Sequence, residues 1–186
     1  MVTIVSVPAY IPVDVCATVG QDPAKTAVDQ CMATVVTQVG NGGVSAAADV
    51  PELRQVVSDA KNDGLDLKIV VLPTNPWTDP PMRDIATEVG KAYPGSTVLA
   101  LSPAHVGSYS TAISRVTLEA GEDVARTGNA VQSSKNFVSQ IQTPLFPWTG
   151  LSVVLISGVV LAAVATRALQ VRARKAAGAE AVTNSE

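Results

Sequence analysis

Basic residues are scarce along most of this chain. Thirteen Lys and Arg stand against sixteen Asp and Glu, for a formal net charge of −3. Four of the basic residues, Arg167, Arg172, Arg174 and Lys175, crowd together near the C-terminus, so the remainder is more acidic still. Phosphate backbones require a basic stripe that is missing here, which excludes nucleic acid as a partner. Histidine occurs once, as His105, and there is no Gly-x-Ser-x-Gly elbow, phosphate-binding loop or HExxH. A lone histidine among turn residues reads as part of the turn rather than as a catalyst. Cysteine is limited to Cys16 and Cys31, whose spacing fits neither a CxxC nor a zinc motif. They form a disulfide in an exported domain, or they remain two buried free thiols, and the spacing does not choose. The opening Met1-Val-Thr-Ile-Val-Ser-Val-Pro8 lacks the basic n-region of a signal peptide, and Asp14-Val15-Cys16 does not read as a lipoprotein box.

Charge is also missing from one long stretch, and that absence is informative. No ionisable residue lies between Pro144 and Thr166. Roughly 20 apolar residues in helical geometry cross the hydrocarbon core of a bilayer, where a lone segment has to be a helix to satisfy its own backbone. Trp148 suits one interface, Leu151, Leu155 and Val160 suit the interior, and Arg167 with the following basic residues suits the other interface. Cytoplasmic flanks carry the Lys/Arg excess, so the expected topology puts the C-terminus in the cytoplasm and the N-terminal domain outside. The competing topology is a cytosol-facing, tail-anchored adaptor. Thr143-Pro-Leu-Phe-Pro-Trp148 reads as a short stiff linker.

The expected divisions are an N-terminal strand and irregular segment at 1–21, an α/β domain at 22–142, linker and membrane helix at 143–171, and a short basic, disordered tail at 172–186. Within the first, residues 2–7 are β-branched and read as a strand. Asp22-Pro23 predicts a helix start, followed by apolar residues at helical spacing to Val39 and a stop at Gly40–Gly43. Asp49-Val-Pro-Glu52 has capping-box spacing ahead of a helix that stops at Gly64. Leu65–Leu72 predicts a strand buried on both faces. Pro73–Pro81 is a loop with four prolines, followed by a helix to Ala92 and a strand at Thr97–Leu101. Ser102–Ser110 reads as a polar turn. Ile113–Gly121 alternates and predicts an antiparallel strand, although Ile113, Val116, Ala120 and Val124 also fit a helix. Gly128-Asn129 opens the last helix before the linker.

Two groups of residues are candidates for function. Glu119, Glu122 and Asp123 flank Gly121 and could supply some of the oxygens that calcium demands, with help from Asp79 or Asp84. The bland alternative is a set of solvated acids where a helix begins. The proline loop and its surroundings offer Trp77, Asp79, Asp84 and Tyr109 as an interaction surface, because loops at strand C-termini in α/β sheets are where sites form.

The unit Asp49–Leu72, the strand Thr97–Leu101 and the segment Arg115-Val-Thr-Leu-Glu-Ala-Gly-Glu-Asp123 resemble the TPM domain over about residues 45–142. The single Gly121 departs from the richer glycine corner common in that family. The resemblance implies one three-layer α/β domain, a small mixed sheet flanked by helices, plus one C-terminal transmembrane helix. TPM domains are often extracytoplasmic, and some are linked to calcium-dependent phosphatase activity, which only the acidic corner could carry over. The whole chain is also similar to a family of actinobacterial single-pass membrane proteins. Asp66-Leu-Lys-Ile-Val-Val71, Leu101-Ser-Pro103, Thr117-Leu-Glu119, Gly121-Glu-Asp123 and Phe146-Pro-Trp-Thr-Gly150 carry that match. Its members lie near genes for NlpC/P60 peptidoglycan hydrolases. That neighbourhood implies envelope work. With an exported-looking domain, no nucleophile–base pair, an aromatic proline loop and a short stiff linker, the expected role is non-enzymatic: an anchored domain that binds or regulates a cell-wall hydrolase or another envelope protein.

Overall fold

A computed structural model describes residues 11–143 and 148–183, with side chains in the second stretch described for 150–172. The strand expected at residues 2–7, the linker residues 144–147 and the side chain of Trp148 lie outside the described residues. The chain divides into two units, Met1–Thr143 and Pro144–Glu186.

The first unit is built on a four-stranded sheet in the order β1 (Val44–Ala46), β2 (Leu67–Val71), β3 (Thr97–Leu101), β4 (Val106–Ser110). β1, β2 and β3 are parallel, and β4 runs antiparallel to β3 with Leu99 opposite Ser108. Alternation along the strands sends side chains to two cores. Val70, Leu72, Val98 and Ala100 face α1 (Val15–Thr18), α2 (Val28–Gly42) and α4 (Pro80–Ala92). Leu67, Ile69, Leu99 and Leu101 face α3 (Val50–Asn62), α5 (Arg115–Val124) and α6 (Ala130–Gln142). This is the three-layer α/β arrangement expected from the sequence. Both β1–α3–β2 and β2–α4–β3 step the same way across the sheet, yet α3 and α4 cover opposite faces. The two crossovers are therefore of opposite hand, and one departs from the right-handed rule.

Four local expectations require correction. Ile113–Gly121 is no strand: α5 occupies Arg115–Val124, started by Ser114, whose side chain accepts from the Thr117 N–H. The antiparallel strand is instead β4, inside the stretch read as a turn. Asp22-Pro23 makes only a local turn, with Asp22 Oδ1 accepting from the Ala24 N–H at 2.9 Å, and α2 begins five residues later at Val28 because Ala27 is extended. Asp49 does not cap α3 through its side chain; it sits in the left-handed region at φ 56°.

Cys16 and Cys31 are joined by a disulfide, with Cα atoms 4.9 Å apart, which ties α1 to α2. The second unit contains α7 (Trp148–Thr183). Leu155 and Val160 are 60% and 55% exposed, as are their apolar neighbours around the helix. An all-round apolar surface suits hydrocarbon rather than water. Gly150–Arg172 is the candidate membrane span among the described residues, and its 23 residues reach roughly 35 Å. The basic tail at 172–186, expected to be disordered, is helical as far as Thr183. Its run of Ala, Arg and Lys residues consists of strong helix formers.

Candidate functional site

Loops and helix ends at the carboxyl edge of a parallel sheet converge on its crevice, and here that edge gathers most of the charged residues singled out from the sequence. The proline loop after β2 is pinned at three points. Thr74 Oγ1 donates to Asp14 at 2.5 Å, Asn75 Oδ1 accepts from the Ala104 N–H at 2.7 Å, and Asp79 Oδ1 contacts His105 Nδ1 at 2.5 Å and Arg126 Nη1 at 3.4 Å. His105 is thus a structural tie between the loop and the β3–β4 turn. Between these anchors Trp77 is 99% exposed. The anchors at Asn75 and Asp79 hold the loop on either side of this exposed indole.

Asp79 is the residue before α4, and Asp84 lies one turn into that helix. Both line a cavity of about 300 Å³ between α4 and the end of α5, together with Arg83, Val106, Glu122 and Arg126. Of the four residues proposed as an interaction surface, these two share a site. Tyr109 belongs to another surface: it lies on β4, where its ring occupies the space a Cβ on Gly90 would need. Trp77 lines neither. Arg83 and Arg126 were missed by sequence reasoning, and the only available signal was the placement of Arg83 next to Asp84.

The acidic corner is organised differently from a cation site. Glu122 is 6% exposed, and its Oε1 accepts from the Ser108 backbone N–H at 2.8 Å and from the Ser108 hydroxyl at 2.6 Å. Arg115 Nη1 donates to the Ser108 carbonyl at 3.3 Å, and its Nη2 lies 3.5 Å from Glu122. Both backbone groups that Ser108 turns off the sheet edge are therefore taken by side chains of α5. Unpaired edge groups invite another strand, and this pair blocks the middle of the β4 edge. Glu119 is engaged by Arg115 Nε at 2.7 Å and approached by Arg83 at 4.0 Å, while Asp123 is exposed. The structure does not bring Glu119, Glu122 and Asp123 together as one donor set. Among the described residues, no group of three or more His, Cys, Asp or Glu side chains gathers where it could hold a metal ion. Gly121 is no flexible corner either. It is a helical residue in close contact with α6, where an added Cβ would stand 2.8 Å from Phe137.

The family described as "Membrane protein Rv1476" matches residues 10–180, nearly the whole chain. The chain belongs to the Rv1476 membrane protein family. It is similar to the membrane protein Rv1476 of Mycobacterium tuberculosis (strain ATCC 25618 / H37Rv), with 50% identity over 176 residues, 94% of this chain and 87% of that relative. No solved structure matches the chain. Membership of this family and the exposed apolar helix agree on a membrane protein with a candidate span near its C-terminus.

Proposed function

We propose that this protein is a single-pass membrane protein whose α/β domain lies outside the cytoplasm, where it binds or regulates cell-wall and envelope machinery without catalysing a reaction. The observation that carries this reading is the Cys16–Cys31 bond, since disulfides persist in oxidising compartments and are rare in the cytosol. Arg167 and the basic residues after it favour a cytoplasmic C-terminus, which puts the domain on the same outer side. Trp77 on its pinned loop is the proposed contact with the partner, a cell-wall hydrolase or assembly factor.

A cysteine placed at the exposed Thr78 tests the topology. A membrane-impermeant maleimide applied to intact cells is expected to label Thr78→Cys, and labelling that appears only after lysis overturns the reading in favour of a cytosolic adaptor. A photo-crosslinking residue at position 77 tests the role. It is expected to capture an envelope protein in cells, and capture of none counts against a binding function.

A further inference from the structure

We propose that the cavity between α4 and α5 binds a small zwitterion, an amino-acid-type group with an ammonium and a carboxylate on neighbouring atoms. Its walls carry both signs of charge: Asp79, Asp84 and Glu122 against Arg83 and Arg126. Asp79 is already met by His105 Nδ1 at 2.5 Å and by Arg126 Nη1 at 3.4 Å, and Glu122 Oε1 has Arg115 Nη2 at 3.5 Å. What remains is the part available to a ligand. Asp84 is half-buried and has no hydrogen bond or ion pair among the described residues. Glu122 makes its hydrogen bonds through Oε1, so Oε2 is left over. Arg83 has only the 4.0 Å approach of Glu119. The contacts of Arg126, to Asp79 and to the Ala104 carbonyl, both run through Nη1 at 3.4 and 3.5 Å. A guanidinium has five N–H donors, so most of those of Arg126 are uncommitted.

Simpler ligands fit this charge set poorly. An anion alone would leave Asp84 without a counter-charge, and the N-terminus of α4 offers it no help. Pro80 and Pro81 have no N–H, and the Met82 N–H is already bonded to the Asp79 carbonyl. A cation alone would meet two guanidinium groups. A hard divalent ion wants six or more oxygens, and the described acids are not gathered to supply them. A neutral sugar would desolvate the unpaired charges without compensating them. A zwitterion answers both signs: its ammonium meets Asp84 and Glu122 Oε2, and its carboxylate meets Arg83 and Arg126, where a forked guanidinium can bond it bidentately.

The test uses the isotope-labelled full chain in detergent micelles, titrated with alanine, N-acetylalanine and alanine amide while backbone amide resonances are followed. Alanine is expected to shift Arg83, Asp84, Val106 and Arg126 saturably, with affinity on the order of millimolar for so small a ligand. Each blocked derivative is expected to bind about tenfold more weakly or worse, as befits the loss of a charged hydrogen bond. Asp84→Asn and Arg83→Gln remove no close structural bond, so each should weaken alanine binding with the melting temperature unchanged. Absence of any saturable shift up to the solubility limit overturns the proposal. So does equal binding of alanine and either blocked derivative, or saturable binding of glucose in place of alanine. The cavity's charges are the same on either side of the membrane, so failure here leaves the proposed topology untouched.

Discussion

Glu122 holds Ser108 by both its backbone N–H and its hydroxyl, at 2.8 and 2.6 Å. The contact joins α5 to the outer edge of the sheet and accounts for the burial of Glu122 Oε1. Arg115 keeps Glu119 as a partner at 2.7 Å and is 37% exposed, so the cost of losing Glu122 falls on Ser108, whose buried N–H and hydroxyl lose their charged acceptor. Glu122→Ala is expected to cost about 1–3 kcal/mol in thermal unfolding of the full chain, with the Ser108 amide exchanging faster. Glu122→Gln keeps an acceptor and should cost less. If calcium stabilised the wild-type chain and Glu122→Gln abolished that effect, the residue would be a cation ligand instead.

Gly121 makes a second test of how α5 is seated. An added Cβ would stand 2.8 and 2.9 Å from the ring of Phe137 and 2.9 Å from Ile141. Phe137 is fully buried, so its ring has nowhere to swing. Overpacking costs about 1–3 kcal/mol, and alanine's helix propensity returns at most about 1 kcal/mol. Gly121→Ala should therefore lower the melting temperature, whereas Gly150→Ala on α7, where nothing lies within 4 Å, should not.

The parts of the fold that were legible carry local signals that agree with their surroundings. Thr97–Leu101 is apolar, lies in the sheet interior and was recognised to the residue. Asn129 caps α6 through its side chain, accepting from Gln132, and the Gly-Asn pair announces it. β4 escaped notice because Val-Gly-Ser-Tyr-Ser has little apolar content. Gly107 is there because the backbone of α4 passes so close that a Cβ would stand 2.5 Å from Arg83 N, a tertiary demand invisible locally. α5 was misread because its alternating pattern competed with a helical one, and Ser114 with Thr117 supplied the deciding cap. The cavity was legible only in its acids. Arg126 lies 47 residues from Asp79, and no local pattern brings them together.

Lys91 offers a pH-dependent observable. Its ammonium donates to Glu88 Oε1 at 2.7 Å, and that hydrogen bond, with the charge of Glu88, raises its pKa above 10.5. A raised pKa in the folded state means the protonated amine is favoured there. The stabilisation is fully present below the unfolded value and is lost as pH rises through the folded one. The Lys91 side chain is 60% exposed, so solvent screens the pair and the pKa itself is the better readout. Followed by NMR on the lysine side chain, Glu88→Gln should bring the Lys91 midpoint down. An unchanged midpoint would mean the pair does not form in solution.

The Cys16–Cys31 bond links the chemistry of the fold to its compartment. It closes a loop with a sequence separation of 15, and cross-linking a loop of that size removes about 3 kcal/mol of unfolded-state entropy in the chain model. Both cysteines are fully buried, so a reductant should act chiefly through opened molecules, slowly under native conditions and quickly in denaturant. Cys16→Ser with Cys31→Ser should lower stability by about 2–4 kcal/mol, with the sheet intact because the bond joins α1 to α2 and links no two strands. The native state of the bond is read by extracting the protein from cells into denaturant with an alkylating reagent and no reductant. Unmodified cysteines by mass are expected. Two alkylated thiols in that sample would place the domain in a reducing compartment and remove the main support for an extracytoplasmic role, whatever the stability of the oxidised form.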